Sequence, residues 1–242
     1  MRALTLFGRF TLGVVMLLSL SVGAVQAGPC ELPDFESASF SNPTNIDNPY
    51  FPLIPGTTFV YEPVPNEDKV VNTITVTGDT KVVYGVNCII VHDVEWVDGI
   101  LTEETSDWYA QDDDGNVWYF GESTKSLQPD GSWSTEGSWE AGVDDALPGY
   151  LILAKPRPGV CYQQESAEGA QDRAKVLRLN AKVSLETGDF FKGCLMTKEW
   201  TPLEPGNIEQ KFYAPGIGLV LIEELKGKTV RVELILLFLD VY

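Results

Sequence analysis

An all-β fold is what this sequence predicts, and three observations predict it. Short runs rich in Val, Ile, Thr, Tyr and Trp recur along the chain, Asp-Gly and related turn residues separate them, and apolar and polar residues alternate cleanly from Leu177 to Glu186. In that run Leu177, Leu179, Ala181, Val183 and Leu185 fall on one side, with Arg178, Asn180, Lys182, Ser184 and Glu186 on the other. Period-two order of this kind marks a sheet with one wet face. The expected architecture is a single domain with a large curved antiparallel sheet, either a half-barrel or a two-sheet sandwich, and few short helices. Residues 57–242 make up that antiparallel β domain, and no linker divides it. A domain of this size buries more than roughly two-thirds of its extended-chain surface.

The first segment reads as an export signal. Arg2 and Arg9 accompany a short apolar core around Val14 to Leu20, and Val25-Gln26-Ala27 offers small residues where a signal peptidase reads them. Cleavage is therefore expected after Ala27, making residues 1–27 a signal peptide and the protein periplasmic or extracellular. Ser19, Ser21 and Gly23 break the apolar core too soon for a stable membrane span,. Pro29 stands before Cys30 where a lipoprotein signal wants a small residue, which argues against lipidation. Residues 28–56 are rich in Pro, Asn and Ser, and the prolines of Asn48-Pro49-Tyr50-Phe51-Pro52-Leu53-Ile54-Pro55-Gly56 forbid a regular helix,. Tyr50, Phe51, Leu53 and Ile54 suit an extended segment packed on the core.

Strands follow in order: Thr57–Tyr61, Val70–Thr77 ending in a turn at Gly78-Asp79, and Lys81–Trp96 with a bulge near Gly85,. Asp98-Gly99 turns the chain into Ile100–Ala110, and Asp114-Gly115-Asn116 turns it into Val117–Gly121,. Trp133–Glu140 follows the Pro129-Asp130-Gly131 turn, and Tyr150–Ala154 and Val160–Glu165 flank a proline-rich connection. Only Glu165–Leu177, with Ala167, Ala170 and Ala174, has room for a helix of any length. After Leu177–Glu186, two hairpins turn at Thr187-Gly188-Asp189 and at Lys226-Gly227-Lys228. Val230–Val241 is apolar but too short for a membrane helix, and Arg231, Glu233 and Asp240 interrupt it,.

The formal charge of -18, from 35 acidic against 17 basic residues, sets the classes of partner. Loss of the signal removes two arginines and no acids, so the balance becomes more acidic still. Nucleic acid is excluded as a partner, and integral membrane association is not expected; cations are compatible. Cys30, Cys88, Cys161 and Cys194 are too widely spaced for a zinc ribbon or a thioredoxin-like pair,. In an oxidising compartment they form one or two disulfides, with three complete pairings open.

The candidate chemistry is spread over several strands. His92, the single histidine, lies at the same strand parity as Cys88, Ile90, Val94 and Trp96. It reads either as a packed, hydrogen-bonded side chain or as a general base or lone imidazole ligand. Carboxylates recur on strands of the second half, at Glu165, Glu199, Glu209 and Glu223, and Glu122, Glu199 and Glu209 are the candidates for an acid/base pair,. Asp112, Asp114 and Asn116 crowd one turn, and with Asp107 they suggest an oxygen-only Ca2+ site, although the helical calcium-hand register fails,. Trp108 and Tyr109 must point to opposite sheet faces, as must Trp118 and Tyr119,. With Trp139 these rings either line a groove for a sugar or small ligand, or serve as cross-strand packing. No nucleophile elbow, phosphate loop or dinucleotide fingerprint is present,.

The segments Asn48-Pro49-Tyr50-Phe51-Pro52-Leu53, Asp107-Trp108-Tyr109-Ala110-Gln111-Asp112 and Gly115-Asn116-Val117-Trp118-Tyr119-Phe120-Gly121-Glu122 carry a resemblance. Gly137-Ser138-Trp139-Glu140-Ala141-Gly142 and Tyr213-Ala214-Pro215-Gly216-Ile217-Gly218 extend it over most of the chain. Together they resemble an uncharacterised family of secreted bacterial proteins. The resemblance implies one coherent domain and export, and brings no activity with it. The reading that follows is an exported soluble binding protein for a small or carbohydrate-like ligand, with Ca2+ as a possible aid. The alternatives are a secreted hydrolase or lyase using strand carboxylates, and an envelope protein-interaction module.

Overall fold

The structure is a computed structural model describing residues 30–225, 227 and 229–239; the signal peptide expected at residues 1–27 lies outside them. Five strands form a first meander: β1 (Thr57–Val64), β2 (Val70–Val83), β3 (Val86–Val97), β4 (Ile100–Gln111) and β5 (Val117–Leu127). Short pieces follow: β6 (Trp133–Ser134), β7 (Trp139–Glu140), β8 (Leu147–Ile152), β9 (Cys161–Gln163) and β10 (Glu165–Ser166). A second meander comprises β11 (Arg173–Ser184), β12 (Phe190–Trp200), β13 (Ile208–Ala214), β14 (Gly218–Glu224) and β15 (Val230–Leu239). β15 returns to pair with β1, so both meanders belong to one sheet in the order β10-β8-β5-β4-β3-β2-β1-β15-β14-β13-β12-β11-β9. The sheet is a nearly closed barrel, which makes the fold all-β and resolves the half-barrel and sandwich alternatives.

Bulges coil the sheet toward closure, because each extra residue bends its strand and increases local twist. They interrupt the ladders at Val60/Tyr61, Val76/Thr80, Glu95/Trp96, Trp108/Tyr109 and Phe212/Tyr213. The two ends of the sheet then meet where β8 faces the β9–β10 segment. Gly149 makes this approach possible: a Cβ there would lie 2.4 Å from the backbone carbon of Gln164. Across the seam the Tyr162 hydroxyl donates to the Leu151 carbonyl at 3.3 Å.

Two details of the first meander exchange places relative to the sequence reading. The expected turn at Gly78-Asp79 is an irregularity within a continuous β2, between Val76 and Thr80. The expected bulge near Gly85 is the hairpin turn itself, with Tyr84 and Gly85 at φ 47° and 84°. Two successive positive φ values give the turn whose twist matches the flanking strands. The helix expected over Glu165–Leu177 does not form; β10, an Ala167–Ala170 bridge and the start of β11 occupy that stretch. Ala170 and Ala174 are fully buried, so their small side chains serve close packing rather than helix propensity,. In β11 a register shift after Val176 changes the phase of burial from Ala174 and Val176 to Ala181 and Val183. Leu177 and Leu179 are consequently only half-buried.

Residues 30–56 wrap the barrel as a strap. A Cys30–Cys161 disulfide ties its start to β9, while Cys88 and Cys194 are buried free thiols. Phe35 and Phe40 lie edge-on against Trp118 and Phe120 on the outer face. Farther along, Phe51 sits between Tyr109 of β4 and Tyr213 of β13, with ring centroids 5.6 and 6.5 Å away. Gly149→Ala is expected to destabilise the fold by about 1–3 kcal/mol in urea unfolding, because its Cβ overpacks the seam. Gly78→Ala, whose Cβ would meet open space, is expected to stay within about 0.5 kcal/mol of the parent.

Candidate functional site

Alternation in β2–β5 directs an unusual set of side chains into the barrel. Cross-strand register aligns Val91, Asp107, Glu122 and Trp139 in one row, from β3 through β4 and β5 to β7. The next row holds Ile74, Asp93, Thr105 and Thr124, and a third begins Asn72, Glu95 and Glu103. On the other side of the acid row lie Ile89, Tyr109 and Tyr119. Two local features build this arrangement. The bulge opposite Trp108 inserts one residue into β5, so Tyr119 and Glu122 share the inner face despite their spacing of three. Gly121, at φ 130°, lets β7 approach so closely that a Cβ would lie 2.3 Å from the Trp139 carbonyl oxygen.

Asp107, Glu122, Asp93, Glu95 and Glu103 are all buried. Tyr119 Oη lies 2.7 Å from Asp107 Oδ1 and 2.9 Å from Glu122 Oε2. A phenol has one proton to donate, so both contacts are satisfied only when one carboxyl carries a proton and donates it to the phenolic oxygen. Asn72 Nδ2 donates to Asp93 Oδ1 at 2.5 Å. Asn72 Oδ1, Asp93 Oδ2 and Trp139 Nε1 are buried with no hydrogen-bond partner. The Trp139 ring stands edge-on to Tyr119 at 5.4 Å, so its indole N–H belongs to the same neighbourhood.

Burial governs the proton affinities here, because it penalises the charged form. It pushes Asp107 up to about 7, against the opposing hydrogen bonds of Tyr119 and Tyr109. Glu122 is held well above the ordinary carboxylate range by burial, then by repulsion from Asp107 and Glu165. Asp93 is raised by burial, then by Asp107, with the Asn72 hydrogen bond opposing. Asp107 and Glu122 therefore titrate as a pair and hold protons in conditions where surface acids have lost theirs.

The opposite wall resolves its charge differently. Lys211 of β13 reaches Glu199 at 3.0 Å and Glu209 at 3.4 Å. Burial disfavours the Lys211 ammonium, but attraction to Glu199 and Glu209 outweighs burial and raises its proton affinity. Glu199 also accepts from Thr197 Oγ1 at 2.7 Å and from Tyr213 Oη at 2.9 Å. This cluster is saturated, and it fastens β12 to β13.

The expected residues thus separate into groups. Glu122, Asp107, Tyr109, Tyr119 and Trp139 come together; Glu199 and Glu209 meet around Lys211. His92 stands exposed on the outer face, on the other side of β3 from Asp93. Trp108 also faces outward, with Lys81 Nζ 3.3 Å above its ring. Trp118 is covered by Phe35 and Phe40, and its indole N–H donates to Asp112 Oδ2 at 2.7 Å. Asp112 accepts two further hydrogen bonds, from Asn116 N and Nδ2, both at 2.8 Å. A Ca2+ ion in this turn would compete with three N–H donors, while Asp114 is exposed and Asp107 lies within the barrel. Among the described residues no group of three or more His, Cys, Asp or Glu is arranged to hold a metal ion.

Asp93, Asn72 and Lys211 escaped the sequence reading. The one signal for Asp93 was an acid interrupting the inward series Ile89, Val91 and Val97.

No family model matches the chain, and no curated protein does. Two crystal structures are similar in fold. One is from Bacteroides fragilis, described as an exported protein with a YmcC-like fold, at 14% identity and a TM-score of 0.46. The other, described as a lipoprotein, is from Parabacteroides distasonis, at 12% identity and a TM-score of 0.45. Each alignment covers 78% of this chain and 98% of the other. Likeness this distant carries no functional argument. Among the described residues no helix is long and apolar enough to cross a membrane.

A raised carboxyl reverses the usual pH dependence. Below the ordinary aspartate range folded and unfolded Asp107 both hold the proton, and its contribution is fully present. Between that range and about 7 only the folded state holds it, so stability is lost as pH rises through this window. Urea unfolding at several pH values is expected to show the parent losing stability relative to Asp107→Asn from about pH 4 to 8.

Proposed function

We propose that this chain is an exported binding protein whose barrel interior holds a small ligand against Asp93, Asp107 and Glu122. The observation that carries the reading is the set of buried polar atoms without partners, Asp93 Oδ2, Asn72 Oδ1 and Trp139 Nε1, beside that carboxyl row. Buried polar groups are almost always satisfied, and a ligand is one thing that satisfies them. The chemistry favours a ligand that donates hydrogen bonds or carries positive charge, and the net charge of -18 attracts such molecules to the surface,. A cation binding here would displace protons from the acid pair. Export is supported by the signal-like residues 1–27 and by the Cys30–Cys161 disulfide, a bond that persists in oxidising compartments,. A surface sugar platform has less support, since Trp118 and Trp108 have their faces covered.

A second reading, acid/base catalysis, draws on the Asp107–Glu122 pair and its shared phenol. Native mass spectrometry of protein isolated from its own host compartment separates the two. The expected result is a bound small molecule, retained unchanged on incubation and lost from the Asp93→Asn/Glu122→Gln variant. Conversion of the molecule on incubation would favour catalysis, and protein isolated with nothing bound would count against both.

A further inference from the structure

We propose that the outer half of β15 is a docking edge for a second copy of this chain, whose own β15 adds to it as an antiparallel strand. β15 pairs with β1 from Arg231 to Leu239. With β14 it pairs only from Val230 to Glu233. Past that point, among the described residues, no strand lies along its second edge. Ile235 to Leu239 therefore present an open ladder edge, the kind of surface that accepts an added strand. The side chains are a second, independent observation. Leu236, Leu237, Phe238 and Leu239 are 52, 37, 40 and 50% exposed. Neighbours on a strand point to opposite faces, so neither face of this segment is covered. Leu236 and Phe238 stand opposite Val60 and Thr58 of β1 on one face; Leu237 and Leu239 stand opposite Phe59 and Thr57 on the other. Contiguous exposed apolar side chains mark a contact surface.

Charge selects the occupant. The chain carries a formal charge of -18, yet Leu234 to Leu239, the adjoining Ile54 to Val60 and the start of β14 at Gly218 to Val220 carry no charge at all. Sheet edges are commonly blunted with lysines, and this one is not. A basic peptide finds no carboxylate along this edge, and an acidic one is repelled by the molecule as a whole. A second copy supplies a matching neutral, apolar edge. A two-fold axis normal to the sheet preserves its faces, so paired residues share parity. Centred on Leu237, that axis sets Leu237 against its own copy and Leu236 against the partner's Phe238, with no charge between Ile235 and Leu239,. Each copy uses its one open β15 edge, so the assembly closes at two. The contact covers about half of the roughly 800 Å2 per partner that a stable interface buries, which makes the dimer weak, with a Kd on the order of 10–100 μM.

The test is sedimentation velocity of the exported protein over about 1–500 μM, which spans that range. The expected result is a monomer that passes to a dimer as concentration rises. Raising NaCl from about 0.05 M to about 0.5 M should tighten the dimer, because copies of like charge repel less when screened. Phe238→Lys and Leu237→Lys, one on each face, should each weaken it by about tenfold or more, since a lysine blunts an open edge. Near-UV circular dichroism checks that both variants are folded. Val82→Lys, at an exposed apolar site on β2, should leave association unchanged. Leu237→Cys should yield a disulfide-linked dimer on mild oxidation, because directly opposed strand residues lie within disulfide reach and Cys88 and Cys194 are buried,. A monomer at every concentration, a dimer indifferent to both lysines, or a dimer that salt weakens would overturn the proposal. Failure of Leu237→Cys to cross-link while the parent dimerises would overturn the pairing. Flotation of a monomeric parent with phosphatidylcholine vesicles, abolished by Phe238→Lys, would assign the edge to a lipid surface and overturn the second copy as its occupant.

Discussion

Closure of the sheet is the constraint on which everything else depends. Every strand has two faces, and only a nearly closed barrel turns one of them into an enclosed interior. Closure here is a matter of space at a few points rather than of long ladders. At the seam Gly149 admits the backbone of Gln163 and Gln164, and Tyr162 secures the contact through the Leu151 carbonyl. Elsewhere Gly121 admits β7, bringing Trp139 over the inner face. An interior made by close backbone approach is buried, and burial is what gives its carboxyls their unusual proton affinities,.

The barrel then has to reconcile many acids with few cations. Lys211 is the one lysine or arginine buried among the described residues, against buried Asp93, Glu95, Glu103, Asp107, Asp112, Glu122, Glu165, Glu199 and Glu233. Isolated ionised carboxylates in such surroundings cost far more than a fold can supply, so the charge is paired or removed. The β12–β13 wall takes the first course, with Glu199 and Glu209 on one ammonium. The β3–β5 wall takes the second, sharing protons among Asp107, Glu122 and Tyr119. The first solution is saturated and holds strands together. The second leaves polar atoms unmet, and that difference is why the β3–β5 wall is the candidate site.

Much of the architecture was legible because alternation and turn chemistry are local. Trp108 and Tyr109 do face opposite ways, as do Trp118 and Tyr119, and β1–β5 follow the expected order. What was not legible is which face closes inward. In β4 the inner series Glu103, Thr105, Asp107 and the outer series Thr102, Glu104, Ser106 are equally polar, so parity gives no direction. In β3 both series contain apolar residues, and the even one, which includes His92, turned out to be the outer. Glu122 and Tyr119 would lie on opposite faces under strict alternation; the bulge that unites them appears in sequence only as Gly121. Likewise Gly78 and Gly85 are equivalent as local signals, and only the pairing of β2 with β3 decides which one is the turn.

The strap connects these observations. Its start is bonded covalently to β9, a strand of the seam, and its far end inserts Phe51 between Tyr109 and Tyr213, on opposite walls. Between them, Gln111 and Asp113 of the β4–β5 end hold its backbone through Asn48 and Ser41. The strap is thus fixed to the same strands whose closure makes the interior. Tyr109 is touched by the strap ring on one side and stacks with Tyr119 on the other, so Tyr109 alone stands between Phe51 of the strap and the phenol that the acid pair shares.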